Sequence, residues 1–268
     1  MVNAAGAGRN LEAPPFVSLS VRRVLVLAAV AATAGCGGSG APHLVALQQQ
    51  GPIGSGAKEV WFYAAKGKPR SLVIFLHGYG GPVEETPKNH VPWLKHLAAE
   101  GSDVIYPRYE VGGAHDPYPN IDAALDEATP KLGKPHVPVI VIGYSRGGRI
   151  AVDYAAVRAA RREEPSAVLA VFPGEHSQYE TLGPLKKLDS KLKLEIMLGD
   201  KDTSVDGRGA RLILARLELA RFPASQIKLI GVKSTKSFKA DHFSVMKTSP
   251  GAKAEIWNPA DKLIDSVR

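Results

Sequence analysis

Seven short, apolar runs rich in β-forming residues recur through residues 58–268: Val60–Tyr63, Leu72–Leu76, Asp103–Tyr106, Val137–Ile142, Ala167–Phe172, Leu192–Leu198 and Ile227–Val232. Several, such as Val137-Pro-Val-Ile-Val-Ile, are apolar throughout instead of alternating, the pattern of a strand covered on both faces of a parallel sheet. Between them lie stretches with apolar positions three and four apart, notably Arg146–Ala160 and Gly207–Arg221, which predict helices. Strand–helix alternation of this kind predicts an α/β domain with a doubly wound, mostly parallel sheet and helices on both faces. The link from Phe172 to Leu192 leaves room only for a short lid.

Ahead of this domain the pattern changes. Arg22 and Arg23 precede an eleven-residue apolar run, Val24–Ala34, and then Gly35-Cys36-Gly37-Gly38. A charged start, a short apolar stretch and a small-residue exit predict a signal peptide over residues 1–35. As a helix the run would rise about 16 Å, too little to cross a hydrocarbon core of roughly 30 Å. Ala34-Gly35-Cys36 resembles the end of a bacterial lipobox, with Thr33 where such motifs usually carry Leu. Ala32-Thr33-Ala34 also fits ordinary signal-peptidase cleavage. The chain's only cysteine stands where lipidation needs it. The expectation is therefore an extracytoplasmic protein, lipid-anchored at Cys36 or secreted. Residues 36–57, rich in Gly, Ser, Pro and Gln, read as a flexible tether.

Composition narrows the chemistry. The chain has 268 residues, 44% of them hydrophobic and 22% charged, with a net charge of +8. That is enough chain for a sizeable core without staples. One cysteine excludes an intramolecular disulfide framework and any cysteine-rich metal site. The basic residues are spread out and lack the aromatic interleaving of a nucleic-acid binder, so no nucleic-acid partner is expected. His90, His96, His115, His136 and His176 show no metal-ligand spacing and read as surface or loop histidines, so no metal or other cofactor is expected. Gly51-Pro-Ile-Gly-Ser-Gly-Ala-Lys58 only approaches a phosphate loop, with the lysine displaced and no strand before it. Leu185–Leu194, basic and apolar in alternation, reads as a solvated strand edge.

Two motifs carry reactive chemistry. The run Val137–Ile142 leads directly into Gly143-Tyr144-Ser145-Arg146-Gly147-Gly148 and then a helical pattern. A G-x-S-x-G between a strand and a helix forms a turn so tight that the serine backbone is strained and its hydroxyl is presented at the sheet's carboxyl edge. The helix that follows aims amides and its positive dipole end at developing negative charge. The second motif, Leu72-Val-Ile-Phe-Leu-His77-Gly78-Tyr79-Gly80-Gly81, ends a strand in small residues that let the backbone approach a substrate. The amides of Tyr79 and Arg146 would form an oxyanion hole. His77 reads as a residue that orders this loop, not as a base.

These motifs resemble those of the α/β-hydrolase superfamily, with the look of small dienelactone-hydrolase-like and lipase-like members, from about Lys58 to the C-terminus. The superfamily's order is nucleophile, acid, histidine. Ser145 is followed by Leu198-Gly199-Asp200-Lys201-Asp202-Thr203-Ser204-Val205, which resembles the family's acid loop, and then by Asp241-His242-Phe243. The resemblance implies a triad of Ser145, His242 and Asp202, with Asp202 preferred over Asp200, and an acyl-enzyme formed on carboxylic esters, small or lipid-like. Glu175 and His176 would lie at the mouth of the site, and the Arg146 side chain would either bias the substrate or turn aside into a salt bridge. A non-catalytic binding module on the same fold and an acyltransferase using the same triad are the alternatives.

Overall fold

The computed structural model describes residues 49–79, 85–110, 116–132, 136–175 and 180–268. The expected signal peptide (1–35) and Cys36 lie outside them, as do Gly80, Gly81, His115 and His176. Eight strands form one sheet: β1 (Gln49–Ile53), β2 (Val60–Tyr63), β3 (Ser71–Leu76), β4 (Ser102–Pro107), β5 (Val139–Tyr144), β6 (Ala167–Val171), β7 (Lys193–Gly199) and β8 (Ile227–Val232). Their order is β1-β2-β4-β3-β5-β6-β7-β8. β2 is antiparallel to both β1 and β4, and every other neighbouring pair is parallel.

Apolar runs without alternation become intelligible once both faces are covered. Ile74 and Leu76 of β3 pack on the face shared with α2 (Tyr118–Leu132), α3 (Arg146–Ala159) and α4 (Arg208–Leu219), among Ile121, Ile150, Tyr154 and Ile213. Val73 and Phe75 point the other way, toward α1 (Val91–Ala99) and α6 (Asn258–Asp265), among Trp93, Leu97, Trp257 and Leu263. Before α6 come a single turn, α5 (Pro250–Ala252), and a π-helical turn, Lys253–Trp257. Each face thus buries its own core, and the centre of the sheet is inaccessible except at strand ends.

Three expectations need correction. The segment read as tether, residues 36–57, contains β1, so the sheet begins at Gln49 and not near Lys58. β1 carries no apolar alternation because it is an edge strand with one neighbour, interrupted by a register shift between Gln50 and Ile53. Its Gly51 sits at φ +122°, open only to glycine, and Pro52 is tolerated because an edge strand need not donate on both sides. Leu185–Leu194 is not a solvated edge: Leu185, Leu192 and Leu194 are buried, and β7 lies between β6 and β8. His90 is not a surface residue but fully buried, its ring against Phe75, Tyr106 and Tyr144. The described part of the β6–β7 link holds no helix longer than the 3-10 turn Leu185–Lys187.

Candidate active site

β5 runs through Gly143 and Tyr144 and stops at Ser145, whose backbone turns to φ 55°, ψ −124° before α3 begins at Arg146. A non-glycine residue at positive φ is strained by about 1–3 kcal/mol and persists only where its surroundings fix it. Here they do. The Ser145 amide donates to the Val171 carbonyl, and the Ser145 carbonyl accepts from the Gly148 and Gly174 amides, each at 2.9 Å. The glycines are required by contact: a Cβ on Gly143 would overlap the Gly147 carbonyl, and one on Gly147 would overlap the carbonyls of Leu76 and His77.

The side chain so presented meets a histidine that in turn meets an aspartate. Ser145 Oγ lies 2.9 Å from His242 Nε2, and His242 Nδ1 lies 2.8 Å from Asp202 Oδ2. Asp202 is buried, and its other oxygen accepts the amides of Ser204 (3.0 Å) and Val205 (3.3 Å). Burial pushes the Asp202 carboxyl up. The hydrogen bond and charge of His242, with the two amides, outweigh it and hold the group below the usual carboxylate range. Asp200 turns elsewhere: it accepts the Ser234 amide (3.1 Å) and hydroxyl (2.5 Å), tying the β7 loop to the β8 loop. Of the two aspartates, Asp202 is the one brought to His242.

The loop after β3 closes in from the other side. A Cβ on Gly78 would sit 3.1 Å from Ser145 Cβ and 3.0 Å from the Tyr144 ring, so this backbone runs close against the serine and a side chain there would push its neighbours by a few tenths of an ångström. Tyr79 follows, its side chain 75% exposed. His77 orders the loop as expected: Nδ1 donates to the Gly78 carbonyl at 2.8 Å, and the ring stacks on Tyr109 and Tyr106. The Tyr109 hydroxyl donates back to the His77 carbonyl at 2.5 Å. On the far side, the Arg146 amide opens α3, and Gly174 passes close to it: a Cβ there would lie 3.2 Å from the Arg146 nitrogen.

The Arg146 side chain turns aside. Its guanidinium pairs with Glu110 and Glu180, at the head of a chain of alternating charges. Glu180 also holds Arg149 (2.6 Å), Arg149 holds Asp153 (2.8 Å), and Asp153 holds Arg216 (2.6 Å). Arg149 and Asp153 are fully buried. Burial raises the Glu110 carboxyl against the opposing pull of Arg146. The chain ties the first turns of α3 to the residues after β4, to the β6–β7 link and to α4. Sequence reading missed Glu110, Arg149, Asp153 and Glu180, because isolated charges carry no periodic signal. Glu175 forms a half-exposed pair with Arg208 at 3.1 Å and does not join the Ser145 cluster.

No protein-family model matches the chain, and no curated protein matches it in sequence. Solved structures do. Esterase B from Lactobacillus rhamnosis, captured with a tributyrin phosphonate, aligns at TM-score 0.62 and 17% identity, over 84% of this chain and 87% of that one. The enzyme MGS-M1, from a Medee basin deep-sea metagenome, aligns at 0.56 and 19%, over 83% and 97%. A dienelactone-hydrolase-like protein from Klebsiella pneumoniae aligns at 0.54 and 17%, over 77% and 92%. The chain has the α/β-hydrolase fold.

Proposed function

We propose that the protein is a serine hydrolase of carboxylic esters, working through Ser145, His242 and Asp202 and an acyl-enzyme. The observation that carries this reading is the unbroken line from the Asp202 carboxylate through His242 to the hydroxyl of a serine held at φ 55°. A serine hydroxyl is a poor nucleophile until a base removes its proton during attack. His242 Nε2 is in reach to take it. Asp202, facing Nδ1, holds the imidazole in the tautomer that leaves Nε2 able to accept and stabilises the imidazolium that forms.

Attack on the ester carbonyl places negative charge on its oxygen. The amides of Arg146 and Tyr79 would receive it, and the α3 dipole favours charge at that end. His242 then returns the proton to the departing alcohol. Water, activated in the same way, releases the acid. That esterases are among the solved structures sharing this fold supports the ester reading.

The decisive experiment is labelling with a fluorophosphonate, followed by a chain-length series of nitrophenyl esters. Modification of Ser145 and turnover that vanishes in Ser145→Ala are expected. A protein that neither labels nor turns over would be a binding module, and labelling with acyl transfer only to an added alcohol would make it an acyltransferase. We further propose lipidation at Cys36. Native protein beginning at Gly35 with a free thiol, seen by mass spectrometry, would rule it out.

A further inference from the structure

β3, β5, β7 and β8 are parallel, so the loops after them emerge on one edge of the sheet, together with Ser145, Asp202 and His242. Among the described residues, five large apolar side chains are exposed, and two stand on this edge: Tyr79 at 75% and Phe243 at 58%. The Phe243 ring meets the His242 ring edge-on, with centroids 5.6 Å apart, so this solvent-facing ring adjoins the reacting group. Exposed aromatic surface beside a reactive centre calls for an occupant.

The segment that delivers His242 also carries charge of one sign. Lys233, Lys236, Lys239 and Lys247 are exposed along residues 233–247, against Asp241 alone, which lies 3.7 Å from Lys239 Nζ and 3.4 Å from Lys247 Nζ. Lys201 adds to them from the adjoining loop, whose amide donates to the Ala240 carbonyl. In that same loop Asp200, held by Ser234, keeps its negative charge and offsets Lys201, and Asp206 is exposed, so the positive excess belongs to residues 233–247; Arg208 is engaged by Glu175. The segment has no arginine, the residue suited to gripping one anion with two parallel bonds. Lysines spread on either side of an exposed ring match a diffuse anionic layer with apolar depth, which is a lipid surface.

We propose that residues 233–247, with Tyr79, seat the site on an anionic lipid surface, and, resting on the hydrolase reading above, that the substrate is an ester presented there. Phe243 and Tyr79 would enter the headgroup boundary while the lysines neutralise lipid charge.

The test compares the full chain with the charge-neutralising triple variant K236Q/K239Q/K247Q. Vesicles of phosphatidylcholine with 30% phosphatidylglycerol, and of phosphatidylcholine alone, are doped with a long-chain umbelliferyl ester. Co-sedimentation and turnover are read at low salt and at 0.5 M salt, beside a water-soluble butyrate ester. The native chain should favour the anionic vesicles, and the variant should lose that preference by on the order of a hundredfold, since each lysine near such a surface is worth about fivefold. High salt should erase the difference. The soluble ester should turn over within twofold in both proteins. Phe243→Ser should weaken sedimentation with both kinds of vesicle. Equal sedimentation of the native chain with both vesicles, or a triple variant that keeps the anionic preference, would overturn the docking proposal. Failure on the soluble ester, with the sedimentation preference intact, would overturn the hydrolase reading and leave docking standing.

Discussion

Asp200 and Asp202 are separated by one lysine, yet their carboxylates face different partners because the loop turns between them. The Asp202 amide donates back to the Gly199 carbonyl, folding the chain so that the second carboxylate enters beneath His242 while the first stays outside on Ser234. Asp202→Asn should therefore cut kcat on a nitrophenyl ester by on the order of 10⁴ with the circular dichroism spectrum unchanged, because the wrong imidazole tautomer is favoured. Asp200→Asn should cost far less, through looser packing of the two loops. A larger loss at Asp200 would exchange their roles. Asp202 also bears on stability. Its carboxyl is held below the ordinary value in the folded state, so the stabilisation it gives is present above the unfolded pKa near 4 and is lost as pH falls through the folded pKa. Urea midpoints measured from pH 7 down to pH 3 should fall more steeply for the native protein than for Asp202→Asn.

The turn from β5 into α3 depends on backbones approaching more closely than any side chain allows. Gly147→Ala would drive a methyl into the carbonyls of Leu76 and His77, which cannot move without breaking β3 pairing. A loss of about 1–3 kcal/mol, or more, is expected, read as a drop in urea midpoint together with activity. The charge chain along α3 is the second support. Asp153 is shared by Arg149 and Arg216 and also accepts the Gly183 amide at 3.0 Å. Asp153→Asn leaves the buried Arg149 guanidinium with one counter-charge fewer, and a cost of about 3–5 kcal/mol in chemical denaturation is expected. A variant near native stability would show that water or rearrangement compensates.

Across the whole molecule, the legible parts were those whose physics is local. Buried central strands had to be apolar on both faces, and the Ser145 turn needed its glycines within a few residues of each other. β1 was hidden because Gln49-Gln50-Gly51-Pro52-Ile53 belongs to the sheet mainly through pairing, with only Ile53 packed against the core. Glu110 and Glu180 were hidden because their partner Arg146 lies more than thirty residues away along the chain, and only the fold brings them together. Ser145 draws these scales into one consequence. Its amide is fastened to β6 and its carbonyl to both α3 and the start of the β6–β7 link, so freeing it means separating two central strands. In native-state hydrogen exchange the Ser145 amide should therefore behave like a core strand, exchanging only when the entire domain opens. The side chain proposed to react would then sit on a backbone among the slowest in the molecule to let deuterium in.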